Sequence, residues 1–545
     1  MGTEHHRGPR SRGRAARGVP PAERGATQSW RPRPHGLALV ALLFGACAYL
    51  PVPHERAPGH VESESAGDWR VRCEKIPNTK KGDPRRSAPK VSTWFWAEDA
   101  SGAPVTLEGS LEDGFLIPTR ASAPNFAYLR QACLETLRRR GEVRSHSLVR
   151  VRAARKSEGI VVSVLVPSDH VDSAAVSRVV VFGDSLSDAG LLRARMKVLP
   201  GTAYWGGRFS NGPVWPDYLE ALLDVPVQNH ALGGATVSPR LLGKSEHILE
   251  QIEQRGQSFV SGSTDRQIED YTQGFLADQS MQSTGETLFI LWAGANDYIS
   301  KAPFSGSIET LLDSPKAEGG YENVVSEVMR ALDVQVHKLY SAGGRRFLLI
   351  NLPPLGRTPI VLQNTSYLAR RRGITEDERR IALSDRLAEL VEYHNDRLDH
   401  LVEQLREELP DARIAVGDVA ESFTQLLDGD REDGGTTVLE AGFDLESGQH
   451  ELRHGERVLT IQGRCYRGGY LTAEGRAPVC DHEDRAVFWD VVHPTTYAHC
   501  WQAYLVAAQM KEEGWIDELV PPDRHRVRCE ARNDLSSAAF RVEAE

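Results

Sequence analysis

Four short runs of β-branched and aromatic residues recur through the second two-thirds of the chain, and they constrain its fold more than any other feature. They are "RVVVFG" from Arg178, "TLFILWAG" from Thr287, "RRFLLINL" from Arg345 and "ARIAVGD" from Ala412. Between them lie segments with helical periodicity near Val214 to Leu223, Tyr321 to Ser341 and Thr375 to Leu409. A strand that is apolar on both sides must be covered on both faces, and parallel neighbours need long crossovers. The pattern therefore predicts an α/β domain: a parallel sheet between two helical layers. Reactive groups in such sheets gather at the carboxyl ends of the strands.

The region before these runs has a different period. From Trp69 to about Val166, as in "VSTWFWAED" and "LVRVRAA", apolar and polar residues alternate, which predicts a small, mostly β domain. One helix, "YLRQACLETLRRR", interrupts it. The expected layout is a leader over residues 1–50, a linker over 51–67, the β domain over 68–170, the α/β domain over 176–515 and a tail over 516–545. The alternation breaks between about 427 and 484, which predicts an insertion there.

Residues 1–35 carry eight arginines and two carboxylates and run into "GLALVALLFGACAYL". A basic stretch followed by an apolar run of 15 residues predicts an export signal, shorter than the roughly 20 residues of a membrane span. Retention as a membrane anchor, or lipidation at Cys47, is the alternative. The seven cysteines leave six once Cys47 is set aside, an even number suited to an oxidising compartment. Nearness in sequence pairs Cys73 with Cys133, Cys465 with Cys480 and Cys500 with Cys529, out of 15 connectivities. No cysteine–histidine spacing matches a metal site, so neither a metal nor a cofactor is expected. A formal net charge of −10 argues against nucleic acid as a partner.

"RVVVFGDSLSDAG" sets Ser185 just past the first α/β strand. A serine becomes a useful nucleophile only if a base removes its proton. "FWDVVHPTTYAH" offers Asp490 and His493, three residues apart, so the carboxylate can reach one imidazole nitrogen and leave the other for the serine. Donors for a developing oxyanion are available from the backbone N–H of Ser185, that of Gly234 in "NHALGGATV" and the amide of Asn296 in "LWAGANDY". Asp188 is expected to cap the helix after Ser185, and Asp297 to be structural. In "GRFSNGPVW", Phe209 and Trp215, with Trp205, are candidates for an acyl-binding wall, and Asn211 for orienting the loop. The same residues also read as core aromatics and a turn.

Taken in order, these four blocks resemble those of the GDSL, or SGNH, hydrolases over roughly residues 176 to 515. That resemblance implies a three-layer, flavodoxin-like α/β/α fold and a serine esterase, with Ser185, Gly234, Asn296 and His493 as the block residues and Asp490 as the triad acid. With "VRCE" and "ACLETL" in the preceding domain, the chain further resembles the bacterial secreted lecithinase, thermolabile haemolysin and glycerophospholipid:cholesterol acyltransferase group. This implies phospholipase A, lysophospholipase or acyltransferase activity on an acyl ester at a lipid interface. In that group an activating protease cuts a disulfide-bounded loop; the corresponding segment here is "CYRGGYLTAEGRAPVC", with Arg467 and Arg476, ahead of the strand-like "AVFWD". The long arginine-rich leader, the acidic insertion around Leu427 to Glu451 and the extra Cys500 and Cys529 pair depart from the group. A carbohydrate O-acetylesterase would use the same blocks, and with those blocks inert the chain would be a surface-binding protein.

Overall fold

A computed structural model describes residues 69–77, 93–112, 115–119, 121–123, 126–142, 146–155, 161–164, 176–223, 225–237, 262–275, 286–299, 320–363, 375–428, 442–445 and 448–530. The leader, the linker and the tail beyond residue 530 lie outside them.

The first seven strands form one sheet: β1 (Trp69–Pro77), β2 (Thr93–Trp96), β3 (Thr106–Leu107), β4 (Gly109–Glu112), β5 (Phe115–Pro118), β6 (His146–Ala154) and β7 (Val161–Val164). Their order is β2-β1-β6-β7-β5-β4, with β3 also on β1. All pairs are antiparallel except β5 with β7. The helix Phe126–Arg139 covers this sheet and is tied to β1 by the Cys73–Cys133 disulfide. Trp69, Val71, Leu107, Leu129, Leu137 and Val151 fill the core around that bridge.

The second sheet comprises β8 (Arg178–Gly183), β9 (Val227–Asn229), β10 (Thr287–Trp292), β11 (Arg346–Ile350) and β12 (Arg413–Gly417). The order is β12-β11-β10-β8-β9 and every pair is parallel. Because strand side chains alternate between faces, Val180, Phe182, Phe289, Leu291, Phe347 and Leu349 enter one core with the helices Thr264–Phe275, Tyr321–Ser341 and Glu376–Glu408. Val179, Val181, Leu288, Ile290, Leu348 and Ile350 enter the other, with Trp215–Leu223, Val419–Asp428 and Thr496–Glu512. Each fully buried Val, Leu, Ile or Phe contributes about 1.5–3 kcal/mol, so both faces drive folding. The three layers are those the sequence predicts, and the chain order across the sheet reverses between β8 and β10. That reversal opens a crevice at the strand ends.

Within the expected insertion, β13 (Gln449–His454) and β14 (Arg457–Gln462) form an antiparallel hairpin. "AVFWD" does not form the expected strand. Phe488 makes only single bridges, to Arg464 and Pro494. The Trp489 N–H turns back to His493 O at 2.8 Å, which ends extension after two residues. The Cys465–Cys480 and Cys500–Cys529 disulfides are formed, the latter joining the helices Thr496–Glu512 and Pro522–Glu530.

Candidate active site

Ser185 sits in the turn directly after β8, and His493 sits in the loop that leads into the helix Thr496–Glu512. That helix starts where Thr495 caps it, its side chain accepting from the Ala498 N–H. The loop is fixed from two sides. Asn211 Oδ1 accepts the Thr496 N–H at 2.8 Å, and Ser210 Oγ donates to Pro494 O at 3.0 Å. Asn211 Nδ2 also donates to Glu483 O, which ties the segment before the loop to the same side chain.

The outcome is a chain of three side chains. His493 Nε2 lies 2.7 Å from Ser185 Oγ, and His493 Nδ1 lies 2.9 and 2.8 Å from the two oxygens of Asp490. Burial would raise the Asp490 carboxyl, but the His493 ring, with the Val492 and His493 backbone N–H groups, holds it below the usual carboxylate value. An ionised Asp490 requires the proton of a neutral imidazole to sit on Nδ1. Nε2 then accepts from the serine hydroxyl. Asp490 and His493 are 2% and 3% exposed and Ser185 8%, so the whole row is buried and the serine is its most exposed member.

The expected oxyanion loops converge on the same turn. Gly234 has φ +78°, a left-handed conformation that favours glycine. The N–H of Gly233 donates to Asp188 Oδ2 at 2.8 Å, which binds this loop to the serine turn. A Cβ on Gly233 would meet Phe209 at 2.4 Å. Asp188 also accepts from Gly190, Leu191 and Leu192, the cap expected of it. Asn296 opens the short helix Ala295–Ile299 after β10, and its Nδ2 lies 3.1 Å from both Asp184 Oδ2 and Ala235 O. All three loops are thereby stitched together. Asp297 accepts the Val237 N–H, a structural role.

Phe209 packs its ring 4.9 Å from that of His493 and joins Leu192 and Leu232, with Leu191, Met196 and Leu199 partly buried beside them. This is a small apolar wall at the histidine. Trp215 is elsewhere: fully buried in the core behind the sheet, it donates from Nε1 to Ser187 Oγ at 3.0 Å. Trp205 is buried as well, beneath the Arg208 guanidinium, which pairs with Asp217.

Sequence reasoning missed three residues at the site. Tyr204 donates from its hydroxyl to Asp490 Oδ2 at 2.8 Å; burial first, and then the charge of Asp490, keep the phenol protonated. Tyr470, in the Cys465–Cys480 loop, sets its ring edge-on to His493 at 5.8 Å. Asp184 accepts the Leu186 N–H as well as the Asn296 amide; burial pushes its carboxyl up to about 6, against those hydrogen bonds and His493. Neither tyrosine lies in one of the four blocks, so only the fold brings them in. Among the described residues, Cys500, His525 and Cys529 place potential metal-ligand atoms within 4.8 Å, as do Asp333, His337 and Glu408. The two cysteine sulfurs of the first group are joined to each other.

A parallel-sheet crevice holding serine, histidine and aspartate in hydrogen-bonded sequence defines a serine ester hydrolase. A family model of GDSL-like lipase/acylhydrolase matches residues 179–506, and the chain belongs to that family. It is 26% identical over 343 residues to a phosphatidylcholine-sterol acyltransferase of Aeromonas hydrophila, covering 60% of this chain and 87% of that one. It is 23% identical over 445 residues to a thermolabile hemolysin of Vibrio parahaemolyticus, covering 79% and 85%. The secreted effector protein SseJ of Salmonella typhimurium is 27% identical over 330 residues, covering 59% and 61%.

Proposed function

We propose that this protein hydrolyses lipid acyl esters, phospholipids foremost, through an acyl-Ser185 intermediate. Ser185 Oγ attacks the ester carbonyl carbon while His493 Nε2 takes the hydroxyl proton. The tetrahedral oxyanion is met by the N–H groups of Ser185 and Gly234 and by the Asn296 amide, which turns one of its two N–H bonds from Asp184 Oδ2 or Ala235 O toward it. Collapse breaks the bond to the leaving alkoxide, which takes the proton from His493. Water, or an acceptor alcohol in the acyltransferase variant of the cycle, then attacks the acyl-enzyme with His493 as base. Asp490 keeps the proton of neutral His493 on Nδ1 and stabilises the imidazolium.

One observation carries the lipid reading: Phe209, whose ring packs on His493, belongs to an apolar group with Leu192, Leu232, Met196 and Leu199. A wall of this kind suits an acyl chain better than an acetylated sugar. Relatives named as an acyltransferase and a hemolysin support it. Purified protein assayed on phosphatidylcholine vesicles, acetylated sugars and short p-nitrophenyl esters tests it: fatty acid released from vesicles is expected, and turnover of the sugars without vesicle hydrolysis would replace lipid with carbohydrate.

Export through the leader belongs to the same proposal, as do the exposed Arg467 and Arg476 as protease sites in the loop that carries Tyr470. Mature protein should begin after about Ala46.

A further inference from the structure

Two segments far apart in sequence meet beside His493. Gly201 donates its N–H to Tyr470 O at 2.6 Å, and the Glu474 N–H donates to Thr202 Oγ1 at 3.0 Å. The fit is close: a Cβ on Gly201 would lie 2.9 Å from Thr472 O and 3.0 Å from Tyr470 O. Residues 191–201 and the disulfide-closed 465–480 thus form one lip at the site.

The lip has an unusual surface. Leu471 is 71% exposed, Val198 58%, Val479 41% and Tyr470 38%, and these are four of the nine exposed large hydrophobic side chains among the described residues. The same segments contain Arg193, Arg195, Lys197, Arg467 and Arg476 against one carboxylate, Glu474, in a chain whose formal net charge is −10; Asp481, Glu483 and Asp484 follow beyond the bridge. Arg195, Lys197, Arg467 and Arg476 are exposed. Apolar side chains standing out of the surface among cations match the two attractions of an anionic bilayer: apolar insertion at the acyl boundary, and Coulomb attraction to the headgroups.

We propose that this lip docks the enzyme on anionic lipid surfaces, with Leu471 and Val198 inserting and Lys197, Arg195, Arg467 and Arg476 facing the headgroups. Docking there sets the site at the membrane, with Phe209 and Tyr470, both packed on His493, between the lipid and Ser185. It rests on the lipid-ester reading given above and adds to it where the surface is met and which charge it prefers. Global repulsion between an acidic protein and an acidic membrane is overcome locally because screening confines the interaction to about 8–10 Å.

The test separates binding from turnover. Vesicle sedimentation is measured with Ser185→Ala protein, so that the lipid stays intact, on phosphatidylcholine alone and on phosphatidylcholine mixed with phosphatidylglycerol. Turnover of a soluble short-chain p-nitrophenyl ester is measured with Ser185 present. Binding should favour the mixed vesicles and weaken as salt is raised. Lys197→Gln with Arg467→Gln should lower partitioning roughly twenty-five-fold, about fivefold per cation. Leu471→Ser with Val198→Ser should lower it by at least about tenfold. Both double variants should turn over the soluble ester within about twofold of the parent.

Equal binding to the two vesicle types, or parental binding by both double variants, would overturn the proposal. So would loss of soluble-ester turnover together with vesicle binding, which would assign the lip to the site itself. Protein that turns over the soluble ester but binds neither vesicle overturns docking and leaves ester hydrolysis standing. Protein that binds mixed vesicles but releases no fatty acid from them overturns the lipid substrate and leaves docking standing.

Discussion

The Tyr204 hydroxyl donates to Asp490 Oδ2 at 2.8 Å across 286 positions of sequence. It adds a fourth member to the hydrogen-bonded row that ends at Ser185. A bond to an ionised acceptor is worth about 1.5–3 kcal/mol, and here it fixes the carboxylate that orients His493. Tyr204→Phe should lower kcat roughly ten- to a hundredfold with little change in KM, since the group touches no substrate. Asp490→Asn should be more severe, because it favours the wrong tautomer of His493. Steady-state kinetics on a soluble ester checks both, and an unchanged kcat for Tyr204→Phe would remove Tyr204 from the positioning row.

Asn296 should affect turnover and not binding. Removing one oxyanion donor costs about 10²- to 10³-fold in kcat, so Asn296→Ala should lose that much at nearly constant KM. A variant that mainly raises KM would place the amide on the ground-state carbonyl.

Asp184 links pH to stability. Its folded carboxyl is pushed up to about 6 by burial, from an ordinary 3.8. With the folded value raised, its contribution is complete below about pH 4 and is lost as pH rises through 6, leaving a penalty of about 3 kcal/mol at neutral pH. Asp184→Asn removes this titration. Whatever the difference between the two proteins at pH 4, it should move in favour of the variant by about 3 kcal/mol by pH 7 to 8. Thermal or denaturant melts across that range measure it, and parallel curves would contradict the shift.

The Cys73–Cys133 bridge closes a separation of 60 residues. By loop-entropy reasoning its loss costs about 4 kcal/mol. Replacing both cysteines by serine should unfold the first sheet at markedly lower temperature while β8 to β12 and the esterase activity persist at 25 °C. Hydrogen exchange resolved by segment distinguishes this from a single cooperative loss.

Much of this arrangement was legible in the sequence because it depends on local pattern. Apolar runs of five or six residues with helical crossovers have one economical solution, and Ser185, Gly234 and Asn296 each follow a strand closely enough for the sheet to deliver them to one edge. Asp490 and His493 were legible for a similar reason, being three residues apart on one loop. Tyr204 and Tyr470 were not. Their roles come from contacts between loops that no periodicity encodes, Tyr204 to Asp490 and Tyr470 to His493. Trp215 illustrates the converse: an aromatic beside a turn-forming block suits a wall or a core equally well, and only the fold placed it behind the sheet, under Ser187. "AVFWD" has strand composition, yet the return of Trp489 N–H to His493 O replaces a ladder with a turn.

The central claim is that Ser185, activated by His493, is the nucleophile. The most direct measurement is mass spectrometry of protein treated with a fluorophosphonate ester, which traps an activated serine covalently. One adduct is predicted, on Ser185, appearing in step with loss of esterase activity and absent from both Ser185→Ala and His493→Ala, which should each keep less than about a thousandth of the parental rate. An adduct on another residue that tracks inactivation, or Ser185→Ala protein retaining more than about a tenth of the rate, would contradict the account.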